Sequence, residues 1–293
     1  MSRPRIVDAH HHVWQPDPTA DDPWGGYPWM VGPAAALRRE FNAEHLRPEL
    51  EAAGVSATVL VQTQASLDET RAFLEVASRT DFVAGVVGWA DLTDPALGET
   101  LDAIRARPDG RFLVGIRHQV HDEADADWLR YPEVQRGLAA VAARGLVYDL
   151  LVRPRELPAA IGAVRANPSL RFVIDHLGKP EIASGALEPW AALLRAFAPE
   201  RGHVWCKLSG MVTEAAHEAW RPEHLRPYIL HALDVFGPDR CLFGSDWPVC
   251  TLATRYGDVL EALLGNLDGL DAHERAQVLT DSAIALYDLP IRA

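Results

Sequence analysis

The chain has 293 residues, 48% of them hydrophobic, enough to bury one large core, and α/β barrels of about 250 residues commonly form a single domain, so one domain over 1–293 is expected. Its 41 acidic residues against 28 basic ones leave a net charge of −13, which argues against nucleic acid or an anionic membrane as partner. Cys206, Cys241 and Cys250 lack C-x-x-C spacing, and no signal core or run of about 20 apolar residues occurs, so a soluble cytoplasmic protein is expected, its oligomeric state open.

The first element, Arg5–Ala9, is a short apolar run that closes on the pattern Asp8-x-His10-x-His12. In an extended chain, side chains two apart share a side. His10 and His12 therefore converge on one point while His11 faces away, an arrangement suited to a metal ion or a polarised carbonyl. The irregular stretch 13–41 follows, with five prolines and the rings of Trp14, Trp24, Tyr27, Trp29 and Phe41; it either stacks on a sugar ring or packs onto a rim.

Further β-rich runs follow at Ala57–Val61, Phe82–Gly88, Phe112–Ile116, Leu146–Val152, Arg171–Ile174, His203–Lys207 and Cys241–Phe243. Helical periodicity separates them. Examples are Ser66–Arg79, opened by Ser66 and Glu69 as a capping box, and Glu156–Ala166, Leu187–Phe197, Pro222–Phe236 and Ala272–Tyr287. Runs such as Val83-Ala-Gly-Val-Val87 are apolar at nearly every position, as strands of a parallel sheet covered on both faces must be. Eight β/α units predict a (β/α)8 TIM barrel with its site at the C-terminal ends of the strands.

Those ends carry His10 and His12; Gln62 and Gln64; Trp89 and Asp91; Arg117, His118 and Gln119; Tyr148 and Asp149; Asp175 and His176; Lys207 and Ser209; and Ser245 and Asp246. Asp122, Glu123, Asp125 and Asp127 read as a solvated acidic loop, and Lys179 in its Gly-Lys-Pro turn as structural. Lys207 either orients a carbonyl or salt-bridges a neighbouring carboxylate.

The motifs Asp8-Ala-His-His-His12-Val-Trp, Gly115-Ile-Arg-His-Gln119, Tyr148-Asp-Leu-Leu-Val152, Asp175-His-Leu-Gly-Lys-Pro180, Cys206-Lys-Leu-Ser-Gly210 and Gly244-Ser-Asp-Trp-Pro-Val249 together resemble the sugar-lactonase branch of the amidohydrolase superfamily, from residue 5 to about 288. The pattern is most similar to L-fuconolactonases and their relatives, with pyrone-dicarboxylate lactonases more distant. The resemblance implies a TIM barrel that opens an aldonolactone such as L-fuconolactone or L-rhamnonolactone. It places the H-x-H pair on His10 and His12, the strand-six histidine on His176 and the strand-eight aspartate on Asp246.

These four are the expected catalytic residues, with Asp246 as general base, and also the candidate ligands of one divalent, zinc-like ion. A metal-binding residue that many superfamily members carry after strand four or five is missing, which argues against two metals and leaves a single ion dispensable. Trp29, Gln64, Arg117, His118, Gln119, Tyr148, Lys207 and Trp247 are the expected substrate contacts. Alternatives are a barrel decarboxylase or pyrone hydrolase acting on an aromatic acid, which would need several converging arginines where only Arg117 and Arg153 are evident, and a non-catalytic sugar-binding barrel, which the presence of Asp246 disfavours.

Overall fold

Apolar residues at nearly every position make a strand soluble only when both its faces are covered, and that is the environment these runs occupy. In a computed structural model describing residues 5–291, β1 (Ile6–His11), β2 (Val55–Val61), β3 (Val83–Gly88), β4 (Leu113–His118), β5 (Val147–Leu150), β6 (Arg171–Ile174), β7 (Val204–Leu208) and β8 (Cys241–Phe243) pair in parallel in that order. Each strand alternates with helix, giving the expected TIM barrel. Helices at Ala43–Ala53, Leu97–Arg105, Pro132–Ala142 and Tyr256–Asn266 complete the outer layer.

The seam between β8 and β1 is closed mainly beyond the end of β8. Asp246 N donates to His10 O (2.8 Å) and His12 N to Trp247 O (2.7 Å). The buried Asp8 carboxylate accepts from Ser245 N (2.9 Å), His10 N (3.1 Å) and Tyr256 Oη (3.0 Å). Gly244 allows this approach: a Cβ there would lie 2.7 Å from His10 Cβ. Inside the barrel, Val7, Ala9, Val59, Val61, Val87, Val147, Val173 and Leu242 pack with Leu286, Tyr287 and Leu289 from the C-terminal segment.

Three expected elements change in detail. Ser66 caps its helix by accepting from Asp68 N and Glu69 N (both 3.2 Å), but Glu69 does not return to Ser66. Its carboxylate instead binds the Thr63 hydroxyl, Thr63 N and Gln64 N, so the capping box is half formed. The 187–197 helix contracts to Trp190–Arg195, because the residue before Pro189 is disfavoured in helical conformation. The 272–287 helix divides into Ala272–Ala276, a π-helical turn at Gln277–Asp281, and Ser282–Tyr287. Val278, Leu279 and Thr280 are consecutive and all buried, which the wider turn accommodates and a regular helix face does not. Among the described residues no helix is long and apolar enough to cross a membrane, and the three cysteines are buried and unbonded.

Candidate active site

Strand alternation sets the floor of the site. Val147 and Val173 lie in the barrel interior, so Asp149 and Asp175, two residues further toward the C-terminal ends, also point inward. Lys207 joins them, with Nζ 2.6 Å from Asp149 Oδ2, 2.9 Å from Asp175 Oδ1 and 3.1 Å from His10 Nδ1. Arg117 Nη1 lies 2.9 Å from Asp175 Oδ2 and 3.2 Å from His10 Nε2, and its Nη2 donates to Gln62 O. Tyr287 Oη donates to the Asp149 carboxylate (2.8 Å to Oδ2). Burial would raise both acids. For Asp175 the Lys207 and Arg117 charges and the contact with His10 outweigh it and hold the carboxyl well below the usual range, whereas burial wins at Asp149, raised to about 6.

Above this floor four side chains meet. His10 Nε2 and His12 Nε2 are 3.2 Å apart, and Asp246 Oδ1 is 3.9 Å from the first, 3.3 Å from the second and 4.0 Å from His176 Nε2. Every Nδ1 faces another partner: Lys207 and Asp175 (3.5 Å) for His10, Val61 O (2.7 Å) for His12, and Ser209 Oγ (2.9 Å) for His176. Nδ1 atoms held in this way leave Nε2 atoms and a carboxylate to face one point, the arrangement metal-binding histidines use. His10, His12 and Asp246 fit one cation on that ground; the alternative trio of His10, Asp175 and His176 spends its carboxylate on Lys207 and Arg117.

The electrostatics keep Asp246 charged and His10 and His176 neutral. Burial pushes Asp246 up, but His176 and the hydrogen bond with His12 outweigh it, leaving its carboxyl below the ordinary value. Burial lowers His176 to about 4, and burial together with the Lys207 charge holds His10 well below 6.5. His11 turns away and bonds Thr58 Oγ1 at 2.8 Å.

A cavity of about 360 Å³ opens on this cluster, lined by His12, Trp29, Thr63, Arg117, Gln119, His121, Asp122, Leu151, Arg153, His176, Lys179, Asp246 and Val249. Of the residues expected there, Trp29, Arg117 and Gln119 are present. Trp29 is braced edge-on by Trp14 (5.4 Å between centroids), which itself packs on Phe41 and donates to Leu37 O and Arg39 O. The aromatic loop thus both packs the rim and lends one ring to the cavity.

The others lie elsewhere. Gln64 sits beneath Gly26 and beside Tyr27. His118 stacks on Trp128 (4.5 Å), accepts from Trp89 Nε1 (3.0 Å) and pairs with Glu123 (2.7 Å). Tyr148 is one residue out of phase with the inward Asp149 and packs edge-on to Phe172, and Trp247 is buried edge-on to Phe41. Lys207 is fully buried in the floor, which selects its salt-bridge reading.

Lys179, expected to be structural, lines the cavity, as do Asp122 from the expected solvated loop, His121 and Arg153. With Arg117, Lys179 and Arg153, three cations reach the wall. Only inward alternation after β5 pointed to Arg153, and no periodicity marks Lys179.

An amidohydrolase family model matches residues 7–289. An L-fucono-1,5-lactonase of Burkholderia ambifaria is 42% identical over 86% of this chain and 83% of its own length, and one of Burkholderia multivorans is 38% identical over 97% and 96%. Among solved structures, an amidohydrolase from Burkholderia multivorans with bound zinc superposes with a TM-score of 0.90 at 36% identity, covering 98% of this chain and all of the other.

Proposed function

The chain belongs to the amidohydrolase family, and on that premise we propose that it hydrolyses an aldonolactone, with six-carbon deoxy-sugar lactones of the L-fuconolactone type as the first candidates. The observation that carries the reading is an ionised Asp246 held within 4.0 Å of three histidine Nε2 atoms at the base of a cavity sized for one sugar ring.

Asp246 takes a proton from water as the water oxygen bonds to the lactone carbonyl carbon. The carbonyl π electrons move onto oxygen, where the Nε2–H of neutral His176, its Nδ1 accepting from Ser209 Oγ, and the Arg117 guanidinium stabilise them. Collapse breaks the ring C–O bond, and the leaving alkoxide recovers the proton from Asp246. The new carboxylic acid then loses its own proton to solvent. Trp29 covers an apolar ring face, and Gln119, fixed by its bond to Thr63 O (2.9 Å), meets a hydroxyl.

His10, His12 and Asp246, with His176 Nε2 4.0 Å from the carboxylate, would hold a single ion, whose chemistry when bound is to polarise the carbonyl and acidify water. The inward positions near the ends of β4 and β5, where a second metal would need a ligand, carry Arg117 and Asp149, both committed to ion pairs. We expect weak metal occupancy, with activity largely surviving chelation.

The experiment is a panel of aldonolactones and pyrone dicarboxylates assayed by acid release, with metal analysis of the same preparation. Preference for the dicarboxylates, or no lactone turnover, overturns the substrate assignment. Tightly bound stoichiometric metal with complete, metal-reversible loss on chelation overturns the account of the ion.

A further inference from the structure

Lys179 reaches the cavity by an uncommon backbone route. Directly after β6 and Asp175, four consecutive residues, His176, Leu177, Gly178 and Lys179, have positive φ of 53°, 56°, 72° and 52°. Left-handed conformation costs an L-residue roughly 1–2 kcal/mol, so three non-glycine residues within four positions persist only where their surroundings impose it. Those surroundings are visible. Ser209 holds His176 Nδ1, Trp190 Nε1 donates to Leu177 O at 2.6 Å, and the Glu214 carboxylate pairs with Lys179 Nζ. A turn of about three residues brings positions i and i+3 to one side, and His176 and Lys179 do line the same cavity.

The second cation of this wall, Arg153, is exposed at the cavity, and its guanidinium has no ion-pair partner within 4.0 Å among the described residues. His121 lines the same wall, 3.2 Å from the Asp122 carboxylate, and its pKa is lowered to about 3 by burial and by the charges of Lys179 and Arg153. Lys179 lines the same cavity as His176 and Asp246, and its charge acts on both.

A neutral hydroxylated ring does not need this pair. Its product does: ring opening creates a carboxylate next to ionised Asp246, in a chain of net charge −13. An anion leaving water is stabilised only by paired charge. We propose that Lys179 and Arg153 form an anion subsite that takes the carboxylate of the ring-opened sugar acid. The inference rests on the lactonase reading and adds to it: the enzyme recognises its product as a charged species and is inhibited by it.

The test compares L-fuconate with L-fuconamide, its neutral counterpart of equal size, as inhibitors of L-fuconolactone hydrolysis, in the wild type and in Lys179→Met and Arg153→Met. The wild type should bind the acid at least about tenfold more tightly than the amide, in line with a charge-assisted contact, and the preference should shrink with added salt. Each substitution should cut the acid-to-amide ratio by about fivefold or more while the amide constant moves less than about threefold. Should Lys179→Met fail to fold, Arg153→Met, at an exposed position, carries the test with Lys179→Arg, which should keep the ratio. No preference in the wild type, or an unchanged ratio in folded variants, overturns the subsite. Absence of lactone hydrolysis by the wild type would instead defeat the lactonase reading itself.

Discussion

The two sides of the barrel mouth are built from similar residues and behave differently. After β6 and β8 the backbone turns left-handed, at His176–Lys179 and at Asp246 (φ 58°), and the side chains of His176, Lys179 and Asp246 all reach the cavity. Toward the ends of β3, β4 and β5, Trp89, His118 and Tyr148 look equally suited to chemistry, yet Trp89, His118, Glu123 and Trp128 are stitched to one another, and Tyr148 packs edge-on to Phe172. A polar residue at a strand end is therefore a site residue only where the backbone aims it. Four of the five non-glycine residues with positive φ among those described belong to the two left-handed turns at the site.

That contrast can be broken most severely at Asp246. Asp246→Asn keeps the shape and loses the proton acceptor, and turnover should fall about 10²-fold or more with the circular dichroism spectrum unchanged. Near-normal turnover would remove the β8 turn from the chemistry. Lys207→Met leaves Asp149 and Asp175 buried without their shared cation, and urea unfolding should show a loss of about 3–5 kcal/mol, accompanied by reduced turnover as His10 loses a neighbour.

Gly210→Ala tests how tightly the left-handed side is braced. Gly210 has φ 62°, and a Cβ there would lie 2.4 Å from His176 Nδ1, so kcat/KM should drop by about tenfold through displacement of that ring. On the stitched side, His118→Phe keeps the stack on Trp128 and should change kcat/KM by less than about threefold. A loss comparable to that of Gly210→Ala would make the two sides equivalent after all.

The last effect is one of pH. His11 is buried and neutral, its pKa lowered to about 3 by burial and by the neighbouring His12. Between the ordinary value near 6.5 and about 3, the unfolded chain takes up a proton that the folded chain refuses, so stability falls as pH falls through that window. In His11→Asn the slope of unfolding free energy against pH should be shallower there by up to about 1.4 kcal/mol per pH unit, and an unchanged slope would show that His11 gains its proton without unfolding.

The sequence made the barrel legible because burial on both faces forces continuous apolar runs, and all eight expected runs became strands. His10 and His12 were legible for a related reason, since period-two alternation puts them together whatever the rest of the chain does. The same alternation, followed from Val147, would have chosen Asp149 over Tyr148. Lys179 was not legible, because its aim depends on four φ angles that only Gly178 hints at. Trp247 and His118 misled because ring chemistry is the same in a packed layer as in a cavity. The π-helical turn at 277–281 arises from packing against β8 and its neighbours and leaves no periodic trace.

The bonds from Asp8 to Ser245 and Tyr256 also impose an order of assembly. Strand β1 can pair with β2 as soon as both are made, but its other edge, which carries His10 and His12, has no partner until residues near 246 have been synthesised. At ordinary rates of translation that interval is roughly 10–50 s. An open strand edge at the heart of the site is a template for unwanted pairing throughout that time. The charged groups that later form the floor, Arg117, Asp149, Asp175 and Lys207, emerge during the same interval, so the nascent barrel lumen presents ions rather than bare hydrophobic surface at the end where it is still unclosed.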